Sequence, residues 1–301
     1  MTDQMKYCTL CPRMCGADRV NGTGACGSGA RVRIARAALH YGEEPCVSGT
    51  EGSGTVFFSG CSLKCVFCQN MEISRGGFGE DISVRRLAEI FRELEEQGAN
   101  NLNLVTPTHW AEQVAEALKI RRPGIPVLWN SSGYERPETV RALEGLVDVW
   151  LPDIKYADAA LGRRFSGVPD YPDRAFEAVR EMLRQCGNPV LDERGHIRRG
   201  VLIRHLVLPL HLKNTFSVLE RIGREFGTDV WVSLMFQYTP LYSHPDAPEL
   251  ERPLTARERE RAERFLFESG FINGYVQEPS STGTGFIPAF DLTGVREGVS
   301  G

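Results

Sequence analysis

The chain has 301 residues, of which 42% are hydrophobic and 25% charged, the balance typical of a soluble globular protein. Its formal net charge is −4, so the composition disfavours nucleic acid as a partner. No apolar run reaches the roughly 18 residues of a membrane span, and the first residues lack the apolar core of a signal peptide. We therefore expect a cytoplasmic protein that does not contact a membrane.

Residues 1–45 are expected to form a small metal-binding module. Cys8, Cys11, Cys15 and Cys26 follow a C-x2-C-x3-C-x10-C spacing, and few apolar side chains near them are available to build a core. Four thiolates can close a tetrahedral zinc site or hold an auxiliary iron–sulfur cluster. The spacing leaves zinc and Fe-S open as alternatives.

From about residue 52, strand and helix patterns alternate along the chain. Six strands are expected, at 55–59, 101–105, 126–129, 147–151, 201–208 and 230–235. Each is followed by a helix, at 83–97, 110–120, 137–146, 173–185, 212–226 and 256–269. The last helix opens with the capping box Thr255-Ala-Arg-Glu258. This alternation predicts an α/β fold with a parallel sheet over residues 46–294, and the tail 295–301 is expected to be disordered.

Polar residues collect where the predicted strands end. They are the cysteines after the first strand, Thr106-Pro-Thr-His109, Asn130-Ser-Ser-Gly133, Asp153 with Lys155, and Gln237-Tyr-Thr239, while Arg204 lies within the fifth strand. Polar groups that converge from every strand on one mouth are typical of a barrel. We predict a partial (β/α)6 barrel of the TIM type with the cysteine-rich module at its N-terminus.

A second cysteine set, Cys61, Cys65 and Cys68, follows the first strand of the barrel in a C-x3-C-x2-C spacing. Three thiolates are one ligand short of a closed site, so one position of a metal cluster is left open. Phe67, just before the last cysteine, is placed to lie against an aromatic base. The spacing therefore predicts a metal centre with room for a ligand.

This spacing, with an aromatic residue before the third cysteine, resembles the signature of the radical S-adenosylmethionine (SAM) superfamily. Asp153-Ile-Lys155, Gly167-Val168 and Arg204-His-Leu-Val-Leu-Pro209 are similar in order and spacing to elements of pyruvate formate-lyase activating enzymes. The N-terminal C-x2-C-P-R segment and Glu43-Glu-Pro45 resemble an activating-enzyme-like subgroup.

The resemblance implies a radical SAM enzyme, an oxidoreductase that reductively cleaves SAM at a 4Fe-4S cluster to a 5′-deoxyadenosyl radical. That radical would abstract hydrogen from a substrate that the sequence does not identify: a glycyl radical enzyme is the candidate that the resemblance suggests, and another protein, a peptide or a small molecule is the alternative. The electron donor would be of the flavodoxin or ferredoxin type. Cys61, Cys65 and Cys68 would hold the cluster. The residues implied for SAM are Phe67, Thr106, Asn130, Ser132, Asp153, Lys155, Arg204 and Gln237.

The chain departs from the activating enzymes in two places. Val105-Thr-Pro-Thr108 stands where they have a Gly-Gly-Glu segment that meets the amine of the cofactor, and Gln237-Tyr238 replaces a Tyr-His pair. His109 has two interpretations, as a surface or helix-start residue or as a substrate contact. Residues 277–286 are either a surface loop or a strip over the barrel mouth.

The alternative to an enzyme is a non-catalytic iron–sulfur or zinc protein for electron transfer or binding. Such a protein would not need charged groups at the ends of further strands. The sequence therefore favours the enzyme.

Overall fold

The computed structural model describes residues 3–277 and 287–296. The strands are β1 Val32–His40, β2 Ser53–Phe58, β3 Glu80–Ile82, β4 Leu102–Val105, β5 Val127–Ser131, β6 Val149–Pro152, β7 Val190–Leu191, β8 Ile197–Leu206, β9 Trp231–Met235 and β10 Gly274–Val276. The helices are α1 Asp3–Lys6, α2 Pro45–Ser48, α3 Met71–Ser74, α4 Val84–Glu96, α5 Ala111–Ile120, α6 Pro137–Ala142, α7 Ala159–Ser166, α8 Tyr171–Cys186, α9 Leu212–Phe226 and α10 Ala256–Glu268. Short 3-10 helices cover Thr108–Trp110 and Pro248–Glu251.

The sheet is mostly parallel, with strand order β10-β9-β8-β6-β5-β4-β2-β1-β3 and the short β7 beside β8. The six predicted strands correspond to β2, β4, β5, β6, β8 and β9, which pair in parallel. Over the described ranges the sheet is an open path, with β10 and β3 at its two edges. The predicted α/β fold is confirmed, and the sheet does not close into a ring.

The main core lies between the sheet and its helices, where Trp129 and Trp150 from neighbouring strands pack with ring centroids 5.9 Å apart. Side chains alternate across a strand, so Leu128 and Leu151 face the opposite side. There they form a smaller buried cluster that includes Val47 of α2. α2 therefore packs against the face of the sheet opposite the main core.

The loop that carries α2 lies at the end of the sheet opposite the cysteine loop. β1 runs antiparallel to β2, and His40 pairs with Ser53, the first residue of β2. Cys61 follows the other end of that strand. Residues 41–49 therefore lie at the amino-terminal edge of the parallel strands, and side chains from them can reach the interior from that side.

Several elements were not predicted, namely β1, β3, β7, β10, α1, α2, α3 and α7. β1 falls within the range 1–45 assigned to the cysteine-rich module, and it pairs with β2 as a strand of the main sheet. α7 was not predicted because it is only 8 residues long and such short segments show little periodicity. It begins after Asp158, whose carboxylate accepts a hydrogen bond from Ala160, and ends at Gly167 with φ of +67°.

The C-terminal residues that the structure describes pack against the sheet. Val295 is buried, and its carbonyl oxygen accepts a hydrogen bond from Arg86 at 3.1 Å. The first residues of the predicted tail are thus part of the packed domain, and the rest, 297–301, lies outside the described residues. Within the described ranges no helix is long and apolar enough to cross a membrane.

Candidate functional site

The carboxyl-terminal ends of the parallel strands surround a cavity of about 210 Å³. Every residue predicted to hold the cluster or SAM lines it: Cys61, Cys65, Cys68, Phe67, Thr106, Asn130, Ser132, Asp153, Lys155, Arg204 and Gln237. These residues are far apart in sequence, but parallel strands all end at the same edge of a sheet. The fold therefore brings the predicted set together.

The three cysteines of the second set follow β2 in a short loop, and each sulfur has a polar neighbour. The backbone N–H of Leu63 donates to Cys61 Sγ at 3.4 Å. The hydroxyl of Ser166 lies 3.0 Å from Cys65 Sγ, and the Ser74 hydroxyl donates to Cys68 Sγ at 3.4 Å. Hydrogen bonds of this kind favour the thiolate form that ligates metals.

The electrostatics of these thiols fit a metal cluster. Burial raises the pKa of all three, and the charge of a neighbouring cysteine adds to the effect, while Lys155 opposes it. A bound metal would supply the positive charge that stabilises the thiolates. Within the described ranges no group of three or more His, Cys, Asp or Glu side chains is arranged as a ready metal site. The fit therefore rests on donor chemistry rather than on ligand geometry.

Asp153 and Lys155 form a largely buried ion pair just after β6. Burial opposes the charge on Lys155, but the Asp153 carboxylate, together with Cys65 and Tyr171, outweighs burial and raises the pKa of Lys155. The hydroxyl of Tyr171 lies 2.8 Å from the carbonyl oxygens of Ser132 and Asp153 and accepts a hydrogen bond from the N–H of Lys155. One hydroxyl thus ties the ends of β5 and β6 together beneath the cavity.

Gly133 is required for this close approach of two strand ends. Its φ is +73°, in the left-handed region, and a Cβ at this position would lie 2.1 Å from the carbonyl oxygen of Asp153. A side chain at residue 133 would push Asp153 away from the cavity.

Arg204, in β8, is buried and pairs with two carboxylates that were not predicted at the site. Its Nε donates to Glu44 at 3.0 Å, and its Nη2 pairs with both Glu43 and Glu44. Burial opposes ionisation of Glu44, but the charge of Arg204 and the hydrogen bonds from Arg204 and Ser233 together outweigh burial and lower the pKa of Glu44. Asn103 and Asn130 donate to Glu43 at 3.2 and 3.3 Å. The carboxylate of a bound ligand would have to compete with Glu43 and Glu44 for Arg204.

Glu43 and Glu44 come from the loop before α2, at the opposite end of the sheet from the cysteines. The sequence signal for them is the acidic pair directly before Pro45, which opens α2. Glu43 and Asp153 line the cavity, and Glu44 pairs with Arg204 beside them, so three carboxylates stand against two cations, Lys155 and Arg204. The formal charge of this group is −1, which favours a cationic ligand.

Phe67 and Gln237, two further predicted residues, have partners within the protein. The ring of Phe67 meets Tyr156, Phe165 and Tyr238 edge-on, with centroids 6.1–6.5 Å apart. The side chain of Gln237 accepts a hydrogen bond from Gln277 at 2.7 Å.

Thr106 has a strained backbone at the edge of the cavity. Its φ is +60°, a conformation that β-branched residues rarely adopt. Its N–H donates to the carbonyl oxygen of Asn130 at 2.8 Å. This bond continues the β4–β5 pairing one residue beyond the strand and fixes Thr106 at the cavity.

His109 does not line the cavity. Its Nε2 lies 2.7 Å from the carbonyl oxygen of Ser59, and burial lowers the pKa of its ring to about 3. A neutral, packed imidazole fits the helix-start interpretation better than a substrate contact. Of the segment 277–286, only Gln277 lies within the described residues, although Ile287 and Pro288 beyond it line the cavity.

The first cysteine set forms a separate cluster of thiols. Cys8, Cys11 and Cys26 are buried and Cys15 is exposed. A Cβ on Gly24 would lie 3.4 Å from Cys26 Sγ and 3.5 Å from Cys15 Sγ, so both sulfurs face Gly24. Burial, together with the charges of Cys26 and Cys8, raises the pKa of Cys11 to about 12. The four thiols are therefore neighbours in space.

Comparison with known proteins identifies relatives at the level of sequence. The Radical SAM superfamily model matches residues 55–193, which include the second cysteine set, Asp153 and Lys155. An uncharacterized protein of Methanocaldococcus jannaschii is 33% identical over 270 residues, which cover 85% of this chain and 73% of that protein.

Comparison with solved structures gives matches of low identity. A domain of pyruvate-formate lyase-activating enzyme from Bacteroides vulgatus is 14% identical, over 56% of this chain and 93% of that one, with a TM-score of 0.40. Methylornithine synthase is 13% identical over 78% and 64%, with a TM-score of 0.46. Streptococcus suis SuiB bound to S-adenosylmethionine is 14% identical over 72% and 45%, with a TM-score of 0.45.

Proposed function

Because this chain belongs to the Radical SAM superfamily, we propose that it holds a 4Fe-4S cluster at Cys61, Cys65 and Cys68 and binds SAM in the adjoining cavity. When bound, the cluster and SAM together supply a 5′-deoxyadenosyl radical by one-electron cleavage of the sulfonium, and that radical abstracts hydrogen from a substrate. A protein of the flavodoxin or ferredoxin type is the proposed electron donor. The proposal is carried by one observation, the convergence of all the predicted residues on one cavity.

The charges at the cavity support SAM as the ligand. SAM carries an ammonium, a sulfonium and a carboxylate, which give it a net charge of +1, opposite to the −1 of the Glu43, Glu44, Asp153, Lys155 and Arg204 group. Carboxylates suit the ammonium group and ribose hydroxyls, and Lys155 suits the carboxylate of SAM. The amide of Asn130 and the hydroxyl of Ser132 would hold ribose, and Phe67 would lie against adenine.

The test is anaerobic. The purified protein is reconstituted with iron and sulfide and treated with dithionite and SAM, and 5′-deoxyadenosine is measured by chromatography. We expect its formation in the wild type and none above background in the Cys61→Ala, Cys65→Ala, Cys68→Ala variant. No 5′-deoxyadenosine above that control would refute the enzyme and favour a non-catalytic metal protein.

We also propose a second metal at Cys8, Cys11, Cys15 and Cys26, since the four thiols are neighbours and three of them are buried. Metal analysis of the same triple variant, which keeps this set intact, separates the alternatives. Zinc alone would identify a structural site, and iron with sulfide an auxiliary cluster. Recovery of less than one equivalent of zinc, and of iron, per chain would refute the site. All nine cysteines are unpaired, and thiol ligands persist in a reducing compartment, so the proposal includes a cytoplasmic location.

The finer proposal concerns the substrate, for which we propose a protein that receives a glycyl radical. It rests on the similarity of Asp153-Ile-Lys155 and Arg204-His-Leu-Val-Leu-Pro209 to activating enzymes. Incubation of the loaded enzyme with pyruvate formate-lyase as the probe would give a glycyl-radical doublet in the electron paramagnetic resonance (EPR) spectrum. Deoxyadenosine formation without the doublet would exclude that substrate.

A further inference from the structure

The two cysteine sets are joined by direct contacts. The backbone N–H of Cys61, the first residue of the second set, donates to the carbonyl oxygen of Cys26, the last residue of the first set, at 3.2 Å. This bond crosses from the N-terminal module to the loop that follows β2. A displacement of Cys26 would therefore be transmitted to Cys61.

Arg13 makes the second connection and touches both sets. Its backbone N–H bonds to the thiol of Cys11. Its guanidinium donates to the carbonyl oxygens of Ser62, of Leu63 at 3.4 Å and of Ser166 at 3.3 Å. Ser62 and Leu63 lie directly after Cys61. One side chain of the module thus binds the main chain of the cluster loop.

Ser166 extends this connection to a second cysteine. Its carbonyl oxygen accepts from Arg13, and its hydroxyl lies 3.0 Å from Cys65 Sγ and 2.8 Å from the hydroxyl of Tyr156. Ser62, Leu63 and Ser166 are all buried, so carbonyl oxygens that lose Arg13 would have little access to replacement water. Arg13 therefore restrains the surroundings of Cys61 and Cys65 together.

The cluster loop needs such restraint because it has little regular structure. Lys64, between the first two cysteines, has φ of +59°, which is unfavourable for a residue with a Cβ. The carbonyl oxygen of Lys64 accepts a hydrogen bond from Arg75 on the other side. Two arginines thus bind carbonyl oxygens of the loop, and one of them comes from the N-terminal module.

We propose that the N-terminal cysteine module is a positioning element of the cluster site, with Arg13 as the positioning residue. Metal at the first set would fix the chain around Cys11 and Cys26, and through Arg13 and the Cys26 carbonyl it would hold Cys61 and Cys65 in place for the cluster. The role assigned to the cluster rests on the proposed function. The restraint of the loop can be measured without it.

The test compares Arg13→Gln with Arg136→Gln. Arg136 also joins the module to the barrel, through the carbonyl oxygen of Thr9 at 2.7 Å, but none of its hydrogen bonds goes to the cluster loop among the described residues. Hydrogen exchange of the amides in residues 61–66 is measured on the full chain before cluster reconstitution, with metal at the first set verified. We expect exchange about tenfold faster in Arg13→Gln, the effect of losing a charged donor, and no change in Arg136→Gln.

After reconstitution, the EPR spectrum and midpoint potential of the reduced cluster are measured in the same variants. We expect both to change in Arg13→Gln and neither in Arg136→Gln. Cys11→Ser should speed loop exchange as Arg13→Gln does, because it removes metal from the first set. Wild-type exchange in either Arg13→Gln or Cys11→Ser, or equal loosening by Arg136→Gln, would overturn the proposal. Because exchange is measured before cluster loading, it decides this inference even if SAM cleavage fails.

Discussion

Replacing Arg204 by Met tests whether the buried charges at the cavity depend on one another. Met keeps much of the length of the side chain but removes its positive charge, so Glu43 and Glu44 lose the guanidinium that they share. Removing one partner from a buried ion pair typically costs ~3–5 kcal/mol, because the remaining charge is left without compensation. We therefore expect Arg204→Met to lower the free energy of unfolding by about this amount at pH 7.

The pH dependence gives the sign of the effect. In the wild type the pKa of Glu44 is lower in the folded protein than its ordinary value of 4.5. Its contribution to the free energy of unfolding is therefore fully present above pH 4.5 and is lost as the pH falls through the folded pKa. Without Arg204 burial dominates and raises the pKa of Glu44. The carboxyl group then takes up a proton as the pH falls, and the deficit of Arg204→Met should shrink towards pH 5.

The assay is urea unfolding of the metal-free protein, followed by circular dichroism at pH 7 and pH 5. The matched control is Arg204→Met combined with Glu43→Gln and Glu44→Gln, which leaves no uncompensated charge and should recover most of the loss. A deficit below ~1 kcal/mol at pH 7, or one that does not change with pH, would refute the reasoning.

Three further predictions concern single positions. Burial raises the pKa of Glu135 to about 7, so the folded protein favours the protonated carboxyl and the free energy of unfolding falls as the pH rises from 4.5 to 7. In urea unfolding, Glu135→Gln should raise the free energy of unfolding by up to ~3 kcal/mol at pH 8 and leave it unchanged at pH 4. Equal gains at the two pH values would contradict this. Burial lowers the pKa of His205 to about 4, so its contribution to the free energy of unfolding is fully present above pH 6.5 and is lost as the pH falls towards 4. His205→Gln should reduce the loss of stability between pH 6.5 and pH 4 in urea unfolding. An unchanged loss would exclude His205 as its source. Gly133→Ala should lower the free energy of unfolding by at least ~1–3 kcal/mol and weaken SAM binding measured by calorimetry, because the new Cβ would strike the carbonyl oxygen of Asp153. The control for backbone strain alone is Gly145→Ala, at a site with φ of +76° and no neighbouring atom within 4 Å of the new Cβ. Equal effects of the two substitutions would argue against the clash.

Local patterns in the sequence were enough to predict the six strands that pair in parallel and a helix after each of them. The helix predicted at 83–97 is α4, with Ser83 as its cap, and the capping box of Thr255 and Glu258 is present at α10. Capping and hydrophobic periodicity depend on residues within a few positions of each other, so the sequence displays them directly. The polar residues at strand ends were predictable for a related reason, since a parallel sheet places those ends on one edge.

Contacts between distant segments could not be predicted in this way. β1 lies in a segment that its cysteines and glycines made look separate, and its place beside β2 depends on long-range pairing. The pairing of Arg204 with Glu43 and Glu44 joins residues about 160 positions apart. Glu43 and Glu44 also approach Arg204 from the edge of the sheet opposite the predicted site.

By itself, the sequence determined most of the chemical groups at this cavity, because the three closely spaced thiols and the polar residues after the strands are visible in it and together predict a metal centre with a charged ligand pocket. Only the tertiary structure decided how those groups are paired. It placed two carboxylates against Arg204 and bound Arg13 of the N-terminal module to the loop between Cys61 and Cys65. The physical reason is that the charge and restraint of a buried group depend on its neighbours in space, which chain topology brings together irrespective of their separation in sequence.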